Sequence, residues 1–218
     1  MIDNNLYFNT GGDHNYRVYY QPGMDGGGTW FGQEYITQIP RRWPARKFRR
    51  CFEWCSGPGY IGFAIMAFGL ADTLCLADIH EPTVDQVRRS IRQNFCADRV
   101  TAYVSDSIGA LPDSEKFDLV VGNPPHFSTA SSIDDVTRLE SDVDWNIHRE
   151  FFANIGRHLA PDGVILLQEN ELGSTVEDFR EMIESAGLEI RGQWRSPDHY
   201  REQGMTKIYY IEIGHSHG

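Results

Sequence analysis

The sequence predicts an α/β fold: a seven-stranded, mostly parallel sheet with an antiparallel last strand and helices on both faces. Three observations predict it. From about residue 50, short apolar runs alternate with stretches of helical length and periodicity. Repeated β–α units imply parallel strands covered on both sides. The last two strand patterns follow one another with no helical pattern between them, which points to an antiparallel final strand.

Taken in order, residues 50–54 form the first strand and residues 60–68 the first helix. Residues 73–77 form the second strand. Residues 81–94 form an amphipathic helix, because Val84, Val87 and Ile91 share one face. Residues 100–104 and 117–121 are the third and fourth strands. A helix is expected at 148–158, a fifth strand at 163–168, and a helix at 176–185 that stops at Gly187. Residues 188–194 and 207–213 are the closing strands, with a loop at 197–204. The segment before residue 45 is rich in Gly, Asn, Tyr and Pro, with turn signals at Gly11-Gly12, Pro22-Gly23 and Gly26-Gly27-Gly28. It is expected to be an N-terminal arm or β-hairpin lid over residues 1–45, with a short strand at 16–20. The main domain then covers 46–214, and 215–218 is a tail.

The chain has 218 residues, 40% apolar and 23% charged, so one domain with a sizeable core is expected. No apolar run approaches the ~20 residues that cross a membrane. Met1-Ile2-Asp3-Asn4-Asn5 has neither the basic nor the apolar region of a signal peptide, so a cytoplasmic location is expected. Four cysteines, Cys51, Cys55, Cys75 and Cys96, lack paired metal spacing and read as reduced thiols; no metal is expected. The net charge of −11 counts against a DNA partner, because phosphate neutralisation supplies much of duplex affinity. RNA is not excluded. Arg41-Arg42, Arg46-Lys47 and Arg49-Arg50 form a basic cluster, read as a solvated loop or, more sharply, as a local phosphate contact. The sequence carries no signal for oligomeric state.

The segment from Glu53 to Gly62 follows the first strand and opens a helix. Glycines there allow close backbone approach to a ligand, and the helix start offers free N–H groups. Gly57, Gly59 and Gly62 match the dinucleotide-binding pattern, with Asp78 at roughly the ~20 residues expected of a ribose-binding carboxylate. Asp78 also suits capping of the next helix. Two ligands fit the turn. A pyrophosphate would be repelled by Glu53, whereas an amino-acid ammonium would be welcomed. Ile79 is placed to pack on an adenine face. Asp106 and Ser107 follow the third strand.

The stretch from Asp118 to Phe127 is a buried strand stopped abruptly by Gly122-Asn123-Pro124-Pro125. Neither proline can donate to a sheet ladder, and Pro124 forces Asn123 into an extended conformation. Such a loop leaves hydrogen-bond acceptors without internal donors, which suits a substrate NH2 group.

Together these motifs resemble the class I S-adenosylmethionine (SAM)-dependent methyltransferases of the Asn-Pro-Pro-aromatic group. That group includes glutamine N5- and adenine N6-methyltransferases. The ordered resemblance covers roughly residues 50–127 and implies a Rossmann-like methyltransferase domain. Glu53, Cys55, Gly57 and Gly59 match the first motif, with Cys55 standing where the family usually has glycine. A thiol is tolerable there if the position needs no positive φ. The resemblance implies that Asp78 binds the ribose and that Ile79, Asp106 and Ser107 surround the adenine. Asn123, Pro124, Pro125 and His126 would then carry the chemistry, with Asn123 also touching the cofactor. His126 stands where the family has an aromatic, and it could stack, hydrogen-bond or accept a proton. Phe127, with Phe31 and Tyr35 from the arm, would contact the acceptor, and 26–35 and 128–144 are candidate lids. Trp145 and His148 border the acceptor or simply pack. The implied function is methyl transfer to a planar nitrogen of a protein, peptide or small molecule. The alternatives are an adenine N6-methyltransferase acting on nucleic acid, an NAD-linked oxidoreductase, and a silent SAM-binding subunit.

Overall fold

A computed structural model describes residues 6–23, 30–128, 141–195 and 208–216. The seven-stranded sheet has the order β5-β4-β3-β6-β7-β9-β8, and a separate two-stranded sheet pairs β1 with β2. By internal packing the chain divides into two compact units, Met1–Leu111 and Pro112–Gly218.

The first unit starts with the antiparallel hairpin of β1 (Leu6–Asn9) and β2 (Arg17–Tyr20). α1 (Trp30–Arg42), β3 (Phe48–Trp54), α2 (Tyr60–Ala67), β4 (Ala71–Asp78), α3 (Glu81–Gln93) and β5 (Val100–Val104) follow. β3, β4 and β5 pair in parallel. All eight residues of α2 are buried, as expected of a helix apolar on every side. The hairpin is stitched to α3: the Tyr19 N–H donates to Ser90 Oγ at 2.9 Å and the Arg17 N–H to Asn94 Oδ1 at 2.9 Å.

The helix α1 was not expected from the sequence. Gly32 and Pro40 lie inside it, and both are poor helix formers. Packing outweighs propensity. A Cβ on Gly32 would lie 2.9 Å from the Tyr60 carbonyl oxygen and 3.1 Å from Ala64 Cβ, so glycine is what lets α1 approach α2. Arg41 and Arg42 fall in its last turn, where positive charge suits the helix dipole, and Arg49 and Arg50 lie within β3 rather than in a loop.

The second unit holds β6 (Phe117–Gly122), a 3-10 turn (Val143–Trp145), α4 (Asn146–Ile155), β7 (Leu159–Asn170), α5 (Val176–Ser185), β8 (Leu188–Arg195) and β9 (Ile208–His215). β6 and β7 are parallel, while β9 runs antiparallel to both β7 and β8. Only the last strand is therefore reversed against its neighbours, as the sequence predicted. β7 starts at Leu159 rather than 163, because a register shift opposite Phe117–Leu119 absorbs the exposed Pro161 and Asp162. Phe117, Phe151, Phe152, Phe179, Tyr209 and Tyr210 fill this unit's core. All four cysteines are free thiols, three of them buried and Cys55 half-buried. Among the described residues no helix is long and apolar enough to cross a membrane. The expected loop at 197–204, and most of the candidate lid at 128–144, lie outside the described residues.

Candidate active site

β3 delivers Glu53 and Trp54 to the start of the glycine turn. Gly57 and Gly59 take left-handed conformations, at φ 49° and 86°, and so does Cys55 at φ 51°. The expectation that position 55 needs no positive φ is thereby overturned. A side chain in that region costs about 1–2 kcal/mol. Cys55→Gly is accordingly expected to stabilise the protein by about 1 kcal/mol, read as a higher urea midpoint. A lower midpoint would mean that the thiol's packing outweighs the strain.

The glycines have separate jobs. A Cβ on Gly57 would meet nothing within 4 Å, so this residue faces open space. A Cβ on Gly62 would lie 2.5 Å from Leu74 Cδ1, so this one serves close helix–strand packing. The Gly62 N–H donates to Glu53 Oε2 at 2.7 Å, which satisfies one orphan donor at the start of α2. Burial pushes the Glu53 carboxyl up to about 8, against the opposing pull of the Gly62 and Ile61 N–H groups. At neutral pH it is mostly protonated, not the standing negative charge expected from sequence. An arriving ammonium would restore its ionised form.

Asp78 closes β4. Its Oδ2 accepts the Gly57 N–H at 2.8 Å and its Oδ1 the His80 N–H at 2.9 Å. One carboxylate thus ties the glycine turn to the start of α3. A carboxylate has about four lone-pair sites, so acceptor capacity remains. The neighbouring Ile79 is 67% exposed. Asp106 is exposed. Ser107, at φ 46°, has a buried Oγ with no hydrogen-bond partner among the described residues.

In the second unit β6 is buried throughout and ends at Gly122. Asn123 Oδ1 is buried and has no hydrogen-bond partner among the described residues. Pro124 is buried and Pro125 half-buried, and the following residues run back through Phe127, which forms an isolated bridge with Ser141. The Asp142 N–H donates to the Phe127 carbonyl at 2.8 Å. The turn at 170–174 presses on the same loop. A Cβ on Gly173 would lie 2.2 Å from the His126 carbonyl oxygen, so only glycine fits there.

His126 is not loose in the loop. Its Nδ1 lies 3.1 Å from Glu169 Oε2. Glu169 Oε1 lies 3.0 Å from His148 Nε2, and His148 Nδ1 lies 2.6 Å from Asp142 Oδ2. Asp142, in turn, accepts the backbone N–H groups of Ile147 and His148 at 2.8 and 3.0 Å. His148 stacks on Phe179 with ring centroids 4.5 Å apart, and Trp145 meets it edge-on. Burial alone would lower the His148 pKa, but Glu169 and Asp142 lift it to about 9. Burial alone would raise Glu169, but His148 and His126 hold it below the usual carboxylate range. His148 is thus an imidazolium donating from both nitrogens to two carboxylates.

These shifts set the pH dependence of stability. Between the ordinary value of 4.5 and about 8 the folded state binds the Glu53 proton more tightly than the unfolded state does, so stability falls as pH rises. Between 6.5 and about 9 the same sign holds for His148. The lowered Glu169 works the other way, its contribution being lost as pH drops below 4.5. Urea midpoints are expected to be highest near pH 4.5 and to decline from there toward pH 9, more steeply once His148 joins Glu53 above 6.5. Glu53→Gln should flatten the earlier part of that decline, and an unchanged profile would contradict the assignment.

The model of the methyltransferase small domain family matches residues 35–186. The chain belongs to that family. It is a SAM-dependent methyltransferase, and the NAD-linked oxidoreductase considered from the glycine turn is set aside. Solved structures share the fold of this methyltransferase. A 16S rRNA N2 G1207 methyltransferase from T. thermophilus, in complex with AdoMet and guanosine, is 15% identical with a TM-score of 0.63. The match covers 98% of this chain but 51% of that one. A ribosomal protein L11 methylase from Lactobacillus delbrueckii subsp. bulgaricus is 14% identical, with a TM-score of 0.60, over 86% of this chain and 80% of that one. The B. subtilis M1A22 tRNA methyltransferase is 9% identical, with a TM-score of 0.60, over 84% and 66%.

Within each unit the methyltransferase brings several of its expected site residues together. Glu53, Cys55, Gly57 and Asp78 meet around one turn, and Asn123 to Phe127 form one loop. Tyr35 is fully buried in α1, so a role for it against an acceptor has no open surface to work from. Phe31 belongs to α1, and its side chain is not among those described. Sequence reasoning missed Glu169 and Asp142 altogether. A lone acid ending the apolar run at 164–167 was the available signal.

Proposed function

We propose that this methyltransferase transfers the methyl group of SAM to a planar nitrogen, that of an amide side chain in a protein or peptide or of a small molecule. The observation that carries this reading is Asn123 Oδ1, a buried acceptor with no donor among the described residues, held just past the end of β6 and followed by two prolines. A buried unpaired carbonyl costs about 1–3 kcal/mol. An acceptor NH2 group supplies the missing donor. With the Pro124 carbonyl as the second acceptor, both N–H bonds are gripped and the nitrogen lone pair is directed outward. The same two oxygens favour the positive charge that grows on nitrogen during transfer.

Bound SAM supplies a methyl group already activated on a sulfonium. Residues of the first unit fit it. Glu53 beside the glycine turn would take the ammonium, with Cys55, Gly57 and Gly59 giving the close backbone approach. Asp78 would accept from the ribose hydroxyls and Ile79 would cover an adenine face. Asp106 and Ser107 Oγ, which has no partner among the described residues, would meet the adenine edge. Asp78→Ala is expected to weaken SAM binding by about one order of magnitude or more, through loss of hydrogen bonds to a charged group. Calorimetric titration checks this, and unchanged affinity would remove Asp78 from the cofactor site.

A second reading has one observation behind it. The T. thermophilus neighbour, a 16S rRNA N2 G1207 methyltransferase, was solved with guanosine. An exocyclic amine of an RNA base is also a planar nitrogen that two acceptors can grip. The net charge of −11 weighs for the first reading. Tritiated-methyl SAM offered with a glutamine peptide, a set of small amides and an RNA oligonucleotide separates them. Label in peptide or small amide supports the first reading, label in RNA the second, and label on oxygen or carbon sinks both.

A further inference from the structure

The second unit contains a row of buried titratable groups that methyl transfer to a gripped nitrogen leaves unused. Asp142, His148 and Glu169 are fully buried, whereas the side chain of His126 is 11% exposed. The row therefore runs from the core to the loop that carries Asn123. Two carboxylates and two imidazoles placed in a core are costly to desolvate, and such ionic groups are weak stabilising devices compared with apolar packing. Their arrangement is better explained by what they do to the terminal member.

Each bond in the row fixes the next. Asp142 is pinned by the Ile147 and His148 N–H groups, and it accepts from His148 Nδ1. His148 can reach a second carboxylate through Nε2 only by donating there too, to Glu169 Oε1. Glu169, kept ionised by that contact, has its other oxygen at 3.1 Å from His126 Nδ1. An ionised carboxylate only accepts, so Nδ1 carries the proton. In the singly protonated ring that leaves Nε2 bare, and this nitrogen makes no hydrogen bond among the described residues. Among the described residues Tyr209 on β9 also faces Glu169. Burial and the Glu169 charge push its pKa up, and its hydroxyl is bonded to Ser174 Oγ at 3.0 Å. Tyr209 stays protonated and does not compete. Glycine at 173 lets the 170–174 turn seat directly behind the His126 carbonyl, which holds the backbone of the loop as well.

We propose that His126 is the base that takes the proton released by the acceptor nitrogen, and that Glu169, His148 and Asp142 are positioning residues that keep its Nε2 open to receive it. The proposal rests on the reading of the Asn123–Phe127 loop as the acceptor site. As the nitrogen lone pair bonds to the methyl carbon, the carbon–sulfur pair leaves with sulfur as a neutral thioether. Once the nitrogen is cationic, one of its two gripped protons leaves its carbonyl acceptor for His126 Nε2, and the N–H electrons stay on nitrogen. The positive charge brought in by the sulfonium ends on the imidazolium, beside the Glu169 carboxylate. An orienting carboxylate behind a basic imidazole does the same work in hydrolase triads. The acceptor is thereby narrowed to a nitrogen that carries a proton to lose.

The test uses the full chain labelled with 15N-histidine, with His126 assigned from the His126→Gln spectrum. The expected spectrum of the singly protonated ring shows His126 protonated at Nδ1 and bare at Nε2, and Glu169→Gln mixes the two tautomers. A dominant Nε2–H form, or a Glu169→Gln spectrum identical to wild type, overturns the proposal. Should Glu169→Gln fail to fold, the wild-type tautomer and the kinetic arm decide. The kinetic arm uses tritiated-methyl SAM with the glutamine peptide, small amides and RNA oligonucleotide as probes. His126→Gln should lower kcat by about 10²–10⁴-fold and abolish the acid limb of the pH–rate profile. Its SAM dissociation constant should stay within about twofold of wild type. Methyl transfer with the acid limb intact in His126→Gln overturns the base and leaves the acceptor reading standing. SAM binding with no label in any probe removes the acceptor reading, and the base with it.

Discussion

Asn123→Ala is expected to lower methyl transfer by about two to three orders of magnitude, the scale seen when one preorganised polar group is removed from a transition state. The same substitution is expected to leave thermal stability unchanged or raised. The reason is the state of Asn123 Oδ1, which is buried and has no partner among the described residues. Removing it deletes a desolvated acceptor that costs the resting protein about 1–3 kcal/mol. Most truncations at a buried position do the opposite, because they open a cavity. A loss of activity together with a steady or higher Tm is therefore the signature of a group kept for the reaction rather than the fold. Three measurements check it: kcat with the acceptor probe, SAM affinity by calorimetry, and Tm. A fall in Tm that tracks the loss of activity would make Asn123 a structural residue. A matching loss of SAM affinity would move it into the cofactor site instead.

The parallel sheet was legible because its strands are short buried runs with little ambiguity of period. β5 and α5 occupy the residues expected of them, and most other elements end within a few residues of expectation. Errors came where long-range packing overrides local preference. α1 contains Gly32 and Pro40, and no local rule favours a helix there; its cause is the close approach to α2, which sequence periodicity cannot express. Position 55 is similar. A cysteine argues locally against a left-handed backbone, yet the turn between β3 and α2 imposes one.

The site was legible in part for the same reason. Gly57 and Asp78 sit at strand ends, so topology alone brings them to one edge, and their hydrogen bond of 2.8 Å follows. The row behind His126 has no such signature. Its members lie 43 and 21 residues apart across the contacts that matter. His148 on its own reads equally as packing, and it does pack, flat against Phe179. Only the fold brings the packed ring between two carboxylates.

Glu169→Ala is expected to be the most destabilising single change in the second unit, by about 3–5 kcal/mol near neutral pH, the range for breaking one side of a buried ion pair. Glu169 faces His148 and His126 at once, so its removal strips a carboxylate partner from both. Asp142 then remains as the one carboxylate of the row beside the buried imidazolium. The loss should depend on pH in a way that a mere cavity would not. Above about 9 His148 is neutral in the wild type too, so the ion pair is already gone and the intact Glu169 charge becomes a burden. Below 4.5 the unfolded chain takes up the carboxyl proton before folded Glu169 does, and the stabilisation from the pair is lost as pH falls further. The difference in urea midpoint between wild type and Glu169→Ala should therefore peak in the neutral range and shrink on both sides. A difference that stays flat from acid to alkaline pH would reduce Glu169 to a volume filler in β7. Glu169→Gln keeps the volume and one acceptor, so it should fall between the two in stability. It should still lose the fixed tautomer of His126, because an amide can donate as well as accept. The two substitutions thus separate what the carboxylate does for the fold from what it does for the loop.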